Sequence, residues 1–419
     1  MSNVRLLPSC LRGTITVPVS KSAAHRAVLC AALAGQSLAL PENEAVSDDI
    51  AATREAAALL LDGKRTPVTL DCRESGSTLR FLIPLAAALG RTVTFTGHGR
   101  LPERPIGVYL DCLPPRGVRC ETEGGLPLTV SGKLTPGEFR LPGNISSQFI
   151  TGLLLALPLL GGNSEIVLTT PLQSAAYVDM TTEAMRAFGV TAERTETGWH
   201  IPGNQRYRPN PGFAVERDWS QAAFFLAAGM LGGPVELCGM NPASSQGDRA
   251  AEELFRRFGA QIEWNGGVLT ARAGKFPDSV PEIDASQIPD LVPILAAAAA
   301  LVPGKVTRIT HAERLRLKES DRLAAMAQGL NRLGGRVREL PGGLEITGVE
   351  RLHGGTAQGY GDHRVVMALA VAALRSENET VLTDAESVRK SYPDFFRDYN
   401  RLGGKAYAMG NEAASDNLR

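Results

Sequence analysis

The sequence carries no surplus of charge: 44 Lys and Arg are balanced by 44 Asp and Glu. Nothing global therefore draws it to nucleic acid or to an anionic membrane, and any anion must be held by a local cluster. Cysteine pairing is missing too. The six cysteines, at 10, 30, 72, 112, 120 and 238, form no Cys-x-x-Cys, and none stands at zinc-ligand spacing from a histidine. Scattered thiols in a long chain predict a reducing compartment, hence the cytoplasm. Long hydrophobic runs are absent: residues 149–160 are too few to span a bilayer and contain Gly and Pro. The first residues, MSNVRLLPSCLRG, have no apolar h-region and no cleavage site, which predicts no secretory leader. The last dozen, 408–419, are polar and are expected to fray.

What is present is a globular composition, 43% hydrophobic and 21% charged, over 419 residues. That length exceeds one core and predicts two domains. Six segments share a plan: a polar opening, an Ala/Leu-rich helix, a turn, then a β-branched strand. SKSAAHRAVLCAALAG and DWSQAAFFLAAGMLGG are two of them. They open near residues 20, 75, 146, 218, 289 and 361, spaced by 55 and then by 71 or 72. An amphipathic second helix follows each, mostly closing on glycine. Each unit is expected to hold two helices and four strands. Six units divide into three and three, with the break around 212–220 and the N-terminal strand returning to the second half. The expected domains are 18–217, and 1–17 with 218–419. The fold class is α/β, two similar domains of three units around buried helices.

The helix openings need more explanation than their bodies. They carry Lys21, Ser22 and Arg26; Ser77 and Arg80; Ser146, Ser147 and Gln148; Asp290; His363 and Arg364. N-capping accounts for one Ser or Asp per helix. It does not account for cations at the positive end of a helix dipole. A bound anion accounts for both. Each feature also has a plainer reading: KESDR (318–322) as a capped, exposed helix start, Asp290 as an N-cap, GDHR (361–364) as a turn. Arg104 would neutralise Glu103 on the surface, and His363 would be structural.

Nine stretches in order carry a resemblance. They are VPVSKSAAHR (17–26), ESGSTLRF (74–81), GRLPERPIG (99–107), NISSQF (144–149), QSAAYVDM (173–180), IPD (288–290), ERLRLKESDRL (313–323), GDHR (361–364) and RKSYPDFF (389–396). Together they resemble the 5-enolpyruvylshikimate-3-phosphate synthase family. The resemblance implies an enolpyruvyl transferase fold, an inside-out α/β barrel with three βαβαββ units per domain. It implies transfer of the enolpyruvyl group of phosphoenolpyruvate to the 5-hydroxyl of shikimate 3-phosphate. Phosphate leaves through a tetrahedral intermediate, on the route to aromatic amino acids. Asp290 is implied as proton acceptor, Glu319 as proton donor, and Lys21 as a contact to both substrates. Ser22, Arg26, Ser146, Ser147, Gln148, Ser174, Tyr177, Asp290 and Lys318 are implied for shikimate 3-phosphate. Gly76, Arg100, Gln148, Arg322, Arg364 and Lys390 are implied for phosphoenolpyruvate. The first domain would serve mainly shikimate 3-phosphate, the second the acid–base groups and part of the phosphoenolpyruvate site. No metal, cofactor, nucleic acid or membrane is expected, and the chain is expected to act as a monomer.

The chemistry suits these residue types, because two polyanions are brought together and Arg binds carboxylate and phosphate bidentately. The chain departs from the family pattern at Glu74, Ser75 and Phe81, and Arg314 stands where some members have Asn. Three alternatives stay in view. UDP-N-acetylglucosamine enolpyruvyl transferases place a reactive Cys before an Ala-Arg-Pro, whereas here the loop is GHGRLPERPI and the nearest cysteine, Cys112, lies past it. A non-catalytic anion-binding scaffold would not need both Asp290 and Glu319. An RNA-end-processing enzyme would need a basic groove that a neutral chain does not advertise.

Overall fold

The six Ala/Leu-rich segments all become helices, each followed by a second one. In order these are α1 (Lys21–Leu33) and α2 (Asp48–Leu61), α3 (Gly76–Ala88) and α4 (Gly107–Cys112), α5 (Ser147–Ala156) and α6 (Ala175–Ala187), α7 (Trp219–Leu231) and α8 (Ala251–Arg257), α9 (Val292–Ala299) and α10 (Arg322–Arg332), α11 (His363–Ala372) and α12 (Phe395–Arg401). The structure is a computed structural model and describes residues 3–41, 44–63 and 67–409. The odd-numbered helices have apolar bodies and are buried accordingly: every residue of α7, α9 and α11 is buried. The even-numbered ones bury a stripe. In α10 it runs through Leu323, Met326, Ala327 and Leu330.

Among the described residues, five four-stranded sheets share one strand order. In the first, Val68–Asp71 runs parallel to Val93–Thr96, which is antiparallel to Leu128–Gly132, and Val118–Glu121 closes the edge against that strand. In three of them two parallel strands bracket a buried helix and a hairpin follows the second helix, and in the other two an N-terminal strand takes one place. The expectation of four strands in every unit fails for the first. Between α1 and α3 no strand precedes Val68–Asp71 among the described residues, and that strand belongs to the next sheet. The shorter first spacing, 55 against 71 or 72, leaves no chain for the hairpin.

The chain forms two compact units: residues 19–216 with 245–247, and residues 1–18, 217–244 and 248–419. Each has its own apolar core. The first will be called the Lys21 unit and the second the Asp290 unit. The N-terminal strands complete sheets of the Asp290 unit. Gly13–Ile15 pairs in parallel with Val235–Leu237, and Asn3–Leu6 lies antiparallel between Thr380–Leu382 and Ala406–Met409. The expected fraying at 408 and 409 is therefore corrected: Ala408 and Met409 pair with Val4 and Asn3. Residues 410–419 lie outside the described residues. Among the described residues, no helix is long and apolar enough to cross a membrane.

In the Asp290 unit α7, α9 and α11 pack on one another, so their openings converge. In the Lys21 unit α3 packs on α5 at Gly152, where a Cβ would come within 2.3 Å of the Arg80 carbonyl and the Tyr109 hydroxyl. Only glycine permits that approach.

Candidate active site

Asp290 lies in a short 3-10 turn, Pro289–Leu291, that runs into α9, and it caps nothing. Its carboxylate is instead held by cations. Oδ1 accepts from Arg322 Nη1 at 3.0 Å and Oδ2 from Arg364 Nη2 at 3.0 Å, while Lys318 Nζ stands 3.8 Å from Oδ1. Burial alone would push this carboxyl up. Arg364, Lys318 and Arg322 together outweigh burial and hold it well below the usual range. In Lys318 burial wins instead, lowering it to about 8 against the pull of Asp290.

Arg322 is the hub. Its guanidinium, 1% exposed, also donates to Glu319 Oε2 at 2.8 Å and to Asp362 Oδ2 at 2.8 Å. Asp362 caps α11, accepting from the Arg364 N–H at 2.9 Å, and takes a hydrogen bond from Ser320 at 3.0 Å. Asp321 caps α10 through the Ala324 N–H. The KESDR stretch is thus a capped helix start, as one reading had it, yet its Lys318, Glu319 and Arg322 turn into the cluster. Lys390 donates to the Gly361 carbonyl at 2.6 Å, one residue from Asp362. His363 is buried at 1% exposure.

The Lys21 unit gathers a second set. Lys21 starts α1 after the Ser20 cap, and its ammonium pairs at 2.7 Å with Asp49 in the first turn of α2. Arg26 is 2% exposed and largely committed to its own chain. It donates to the Ser22 carbonyl (2.6 Å), Thr181 Oγ1 (2.8 Å), Thr151 Oγ1 (3.3 Å) and the Tyr177 carbonyl (2.8 Å). It ties α1, α5 and α6 together and sets Ser22 and Tyr177 in place. Ser146 caps α5, with Ser147 and Gln148 following. The Gln148 amide is fixed from both ends: Oε1 accepts from Arg80 at 2.7 Å, and Nε2 donates to Ser77 at 2.9 Å. Ser174 precedes α6 at φ 56° and makes no capping bond. A serine held in the left-handed region costs about 1–3 kcal/mol, and such strain gathers at functional sites.

One arginine departs from the sequence reading. Arg104 is not at the surface. It is 7% exposed, and its guanidinium lies against Gly76, where a Cβ would stand 2.7 Å from Cζ. Arg100 caps the next 3-10 turn, half-buried, with no side-chain hydrogen bond among the described residues. The reason lies in the loop: Leu101 and Ile106 anchor in the core, and the turn between them directs Arg104 inward, close to the Pro105 carbonyl that Arg80 binds at 2.8 Å. Asp49, Asp362 and Arg104 lie against residues expected at the site and were not among them. The signals were faint: an Asp after the Ser47 cap, an Asp before His363, and an Arg inside a quoted motif.

The departures from the family pattern also find places. Phe81 lies under Arg26, whose guanidinium carbon is 5.3 Å from the ring centre, a cation–π contact. Glu74 sits beside Gly99 and 3.9 Å from His98, bracing the loop that carries Arg100 and Arg104. Arg314 donates to the Ser286 carbonyl at 2.5 Å, on the segment leading to Asp290.

Comparison with known proteins agrees with this arrangement. The family model described as EPSP synthase (3-phosphoshikimate 1-carboxyvinyltransferase) matches residues 60–399. The 3-phosphoshikimate 1-carboxyvinyltransferase of Clostridium novyi is 41% identical, over 96% of this chain and 98% of its own. That of Clostridium acetobutylicum is 42% identical, over 97% and 99%. Among solved structures, an EPSP synthase from Acinetobacter baumannii superposes with a TM-score of 0.77 at 24% identity, covering 98% of this chain and all of that one. The enolpyruvyl transferase NikO from Streptomyces tendae superposes at 0.72 with 18% identity, over 97% and 99%. These two confirm the two-unit α/β fold, and with the near full-length sequence relatives they establish that the chain belongs to the EPSP synthase family.

Proposed function

We propose that this enzyme transfers the enolpyruvyl group of phosphoenolpyruvate to the 5-hydroxyl of shikimate 3-phosphate and releases phosphate. The observation that carries the reading is Asp290, a carboxylate fixed at a central-helix opening by Arg322, Arg364 and Lys318, with Glu319 on the same Arg322. Addition of the 5-hydroxyl to C2 needs a base for the hydroxyl and an acid for C3; elimination reverses the proton traffic. Asp290 is assigned the first role and Glu319 the second, with Lys21 sharing proton transfer.

As held here, Asp290 is ionised but a weak base. Anions arriving at Arg364 and Lys318 divide those charges and let its basicity rise, so substrate binding itself prepares the base. Lys390 and Arg364 are assigned to phosphoenolpyruvate, as is Arg104, on the evidence of its place against Gly76. In the Lys21 unit, Ser22, Ser146, Ser147, Gln148, Ser174 and Tyr177 are assigned to shikimate 3-phosphate, with Arg26 setting Ser22 and Tyr177. Each acid–base step contributes typically about 10²–10⁴-fold, and orienting two bound substrates up to roughly 7–11 kcal/mol. The enzyme is taken to work as a single chain on small anions.

A phosphate-release assay tests this. Release is expected only when phosphoenolpyruvate and shikimate 3-phosphate are both present. Release with UDP-N-acetylglucosamine as acceptor instead would overturn the assignment.

A further inference from the structure

Arg322 gathers the acid–base cluster at the end of the segment 313–321. A second arginine, Arg316, fastens the same segment to a different support, and the proposed chemistry gives it no part. Its side chain is 28% exposed, yet each of its three nitrogens donates. Nη1 reaches Asp321 Oδ2 at 2.9 Å and Glu339 Oε1 at 2.6 Å. Nη2 reaches the carbonyls of Leu340 (2.9 Å) and Pro341 (3.2 Å), and Nε that of Pro341 at 3.3 Å. Leu340 and Pro341 stand at the tip of the hairpin formed by Arg336–Leu340 and Gly343–Thr347. The tip meets the segment at a second point. The Ala312 N–H donates to the Gly342 carbonyl at 2.9 Å, and a Cβ on Gly342 would collide with the Glu313 carboxylate. An isolated exposed ion pair contributes little, because solvent screens it and two long side chains must be ordered. Here one planar fork meets two carboxylates and two carbonyls, a geometry that an ammonium cannot reproduce.

Asp321 links this clamp to the chemistry. Its Oδ2 takes Arg316, while Oδ1 caps α10 through the Ala324 N–H at 3.1 Å. The pair closes the loop 317–320 at its neck, and that loop carries Lys318 and Glu319. Within the cluster the loop is held by Arg322 on Glu319 and by Ser320 on Asp362. Arg322 is also implied for phosphoenolpyruvate, and an anion arriving there weakens its hold on Glu319. The acceptors of Arg316 lie on the hairpin tip and the helix cap and include none of the groups assigned to substrate. Its hold therefore persists when substrate is bound.

We propose that Arg316 is a positioning residue for the transfer reaction. By fastening both ends of the loop 317–320 to the hairpin 336–347, it fixes the place from which Glu319 delivers a proton to C3 of phosphoenolpyruvate and Lys318 meets shikimate 3-phosphate. The inference rests on the reading of Glu319 as the proton donor.

A double-mutant cycle on the full chain tests it, with melting curves to show that each variant folds. Arg316→Ala should lower kcat about ten- to a hundredfold, the effect expected when a reacting group is held about 1 Å out of place. The KM for phosphoenolpyruvate should stay within a few-fold, because Arg104, Arg364 and Lys390 stand on other segments. In a Glu319→Gln background the same substitution should cost less than about threefold, since the group it positions is already gone. Arg316→Lys keeps the charge without the fork and should show the same pattern with a drop of about three- to tenfold. It carries the test if Arg316→Ala fails to fold. A full-sized drop in the Glu319→Gln background overturns the proposal, as does wild-type kcat in Arg316→Lys. So does a rise in the KM for phosphoenolpyruvate as large as the fall in kcat. Glu319→Gln with wild-type turnover overturns the proton-donor assignment, and the role of Arg316 falls with it. Turnover that needs Glu319 but ignores Arg316 removes Arg316 alone.

Discussion

At the scale of the residue, Asp290 decides most. Asn caps a helix as well as Asp does, so a mere cap would survive Asp290→Asn unchanged. Asp290 caps nothing and balances three cations, so the expected outcome differs. Turnover should fall by about 10² or more in single-turnover measurements, with substrate affinity kept within a few-fold. Stability should fall too, by about 3–5 kcal/mol, since buried cations lose their partner. The folded pKa of Asp290 is depressed, so its contribution is complete above the unfolded value of about 3.9 and is lost as pH falls towards the folded one. Melting curves of wild type and variant should therefore lie apart at pH 5 and converge in acid. The sequence made Asp290, Glu319, Arg322 and Arg364 legible because they stand in ordered motifs. Asp362 was not legible. What marks it is a neighbour 40 residues away, which leaves no local pattern.

At the scale of the element, the helix openings behave as mounts, and the mount can be disturbed without touching the cargo. Gly76 begins α3, and alanine is sterically acceptable to a helix there, but its Cβ would press on the Arg104 guanidinium. Gly76→Ala should displace that group and raise the KM for phosphoenolpyruvate about ten- to a hundredfold, the cost of a charge-assisted contact. Steady-state kinetics with a melting curve checks this: the melting temperature should scarcely move. Helix periodicity made the twelve helices readable, and the regular spacing made the sheets readable in five units. The first unit was misjudged although its short spacing was visible, because the spacing was taken as an inexact repeat. Loop 97–104 was misjudged because the direction of an arginine on a turn follows from which neighbours anchor in the core. Leu101 and Ile106 both do.

At the scale of the whole molecule, the N-terminal strands tie the two ends of the chain into one unit. Removing residues 1–18 strips Val4, Leu6, Leu11, Ile15 and Val17 from the core of the Asp290 unit. Each buried aliphatic side chain contributes about 1.5–3 kcal/mol, so the loss is large. Hydrogen exchange should show lost protection in Val235–Leu237, Thr380–Leu382 and Ala406–Met409, while Val68–Asp71 and Val93–Thr96 in the other unit keep theirs. Loss spread evenly over both units would contradict this. The same pairing sets a schedule for a nascent chain. The Lys21 unit has nearly all its residues once position 216 has been made, but Asn3–Leu6 must wait for strands near 380 and 406. At roughly 5–20 residues per second, that first strand stays unpaired for about 10–40 s after its neighbour unit can fold. Arg5, whose partners Val381 and Tyr407 are both still unmade, keeps a charge on the waiting edge, the device that discourages a strange strand from pairing there first.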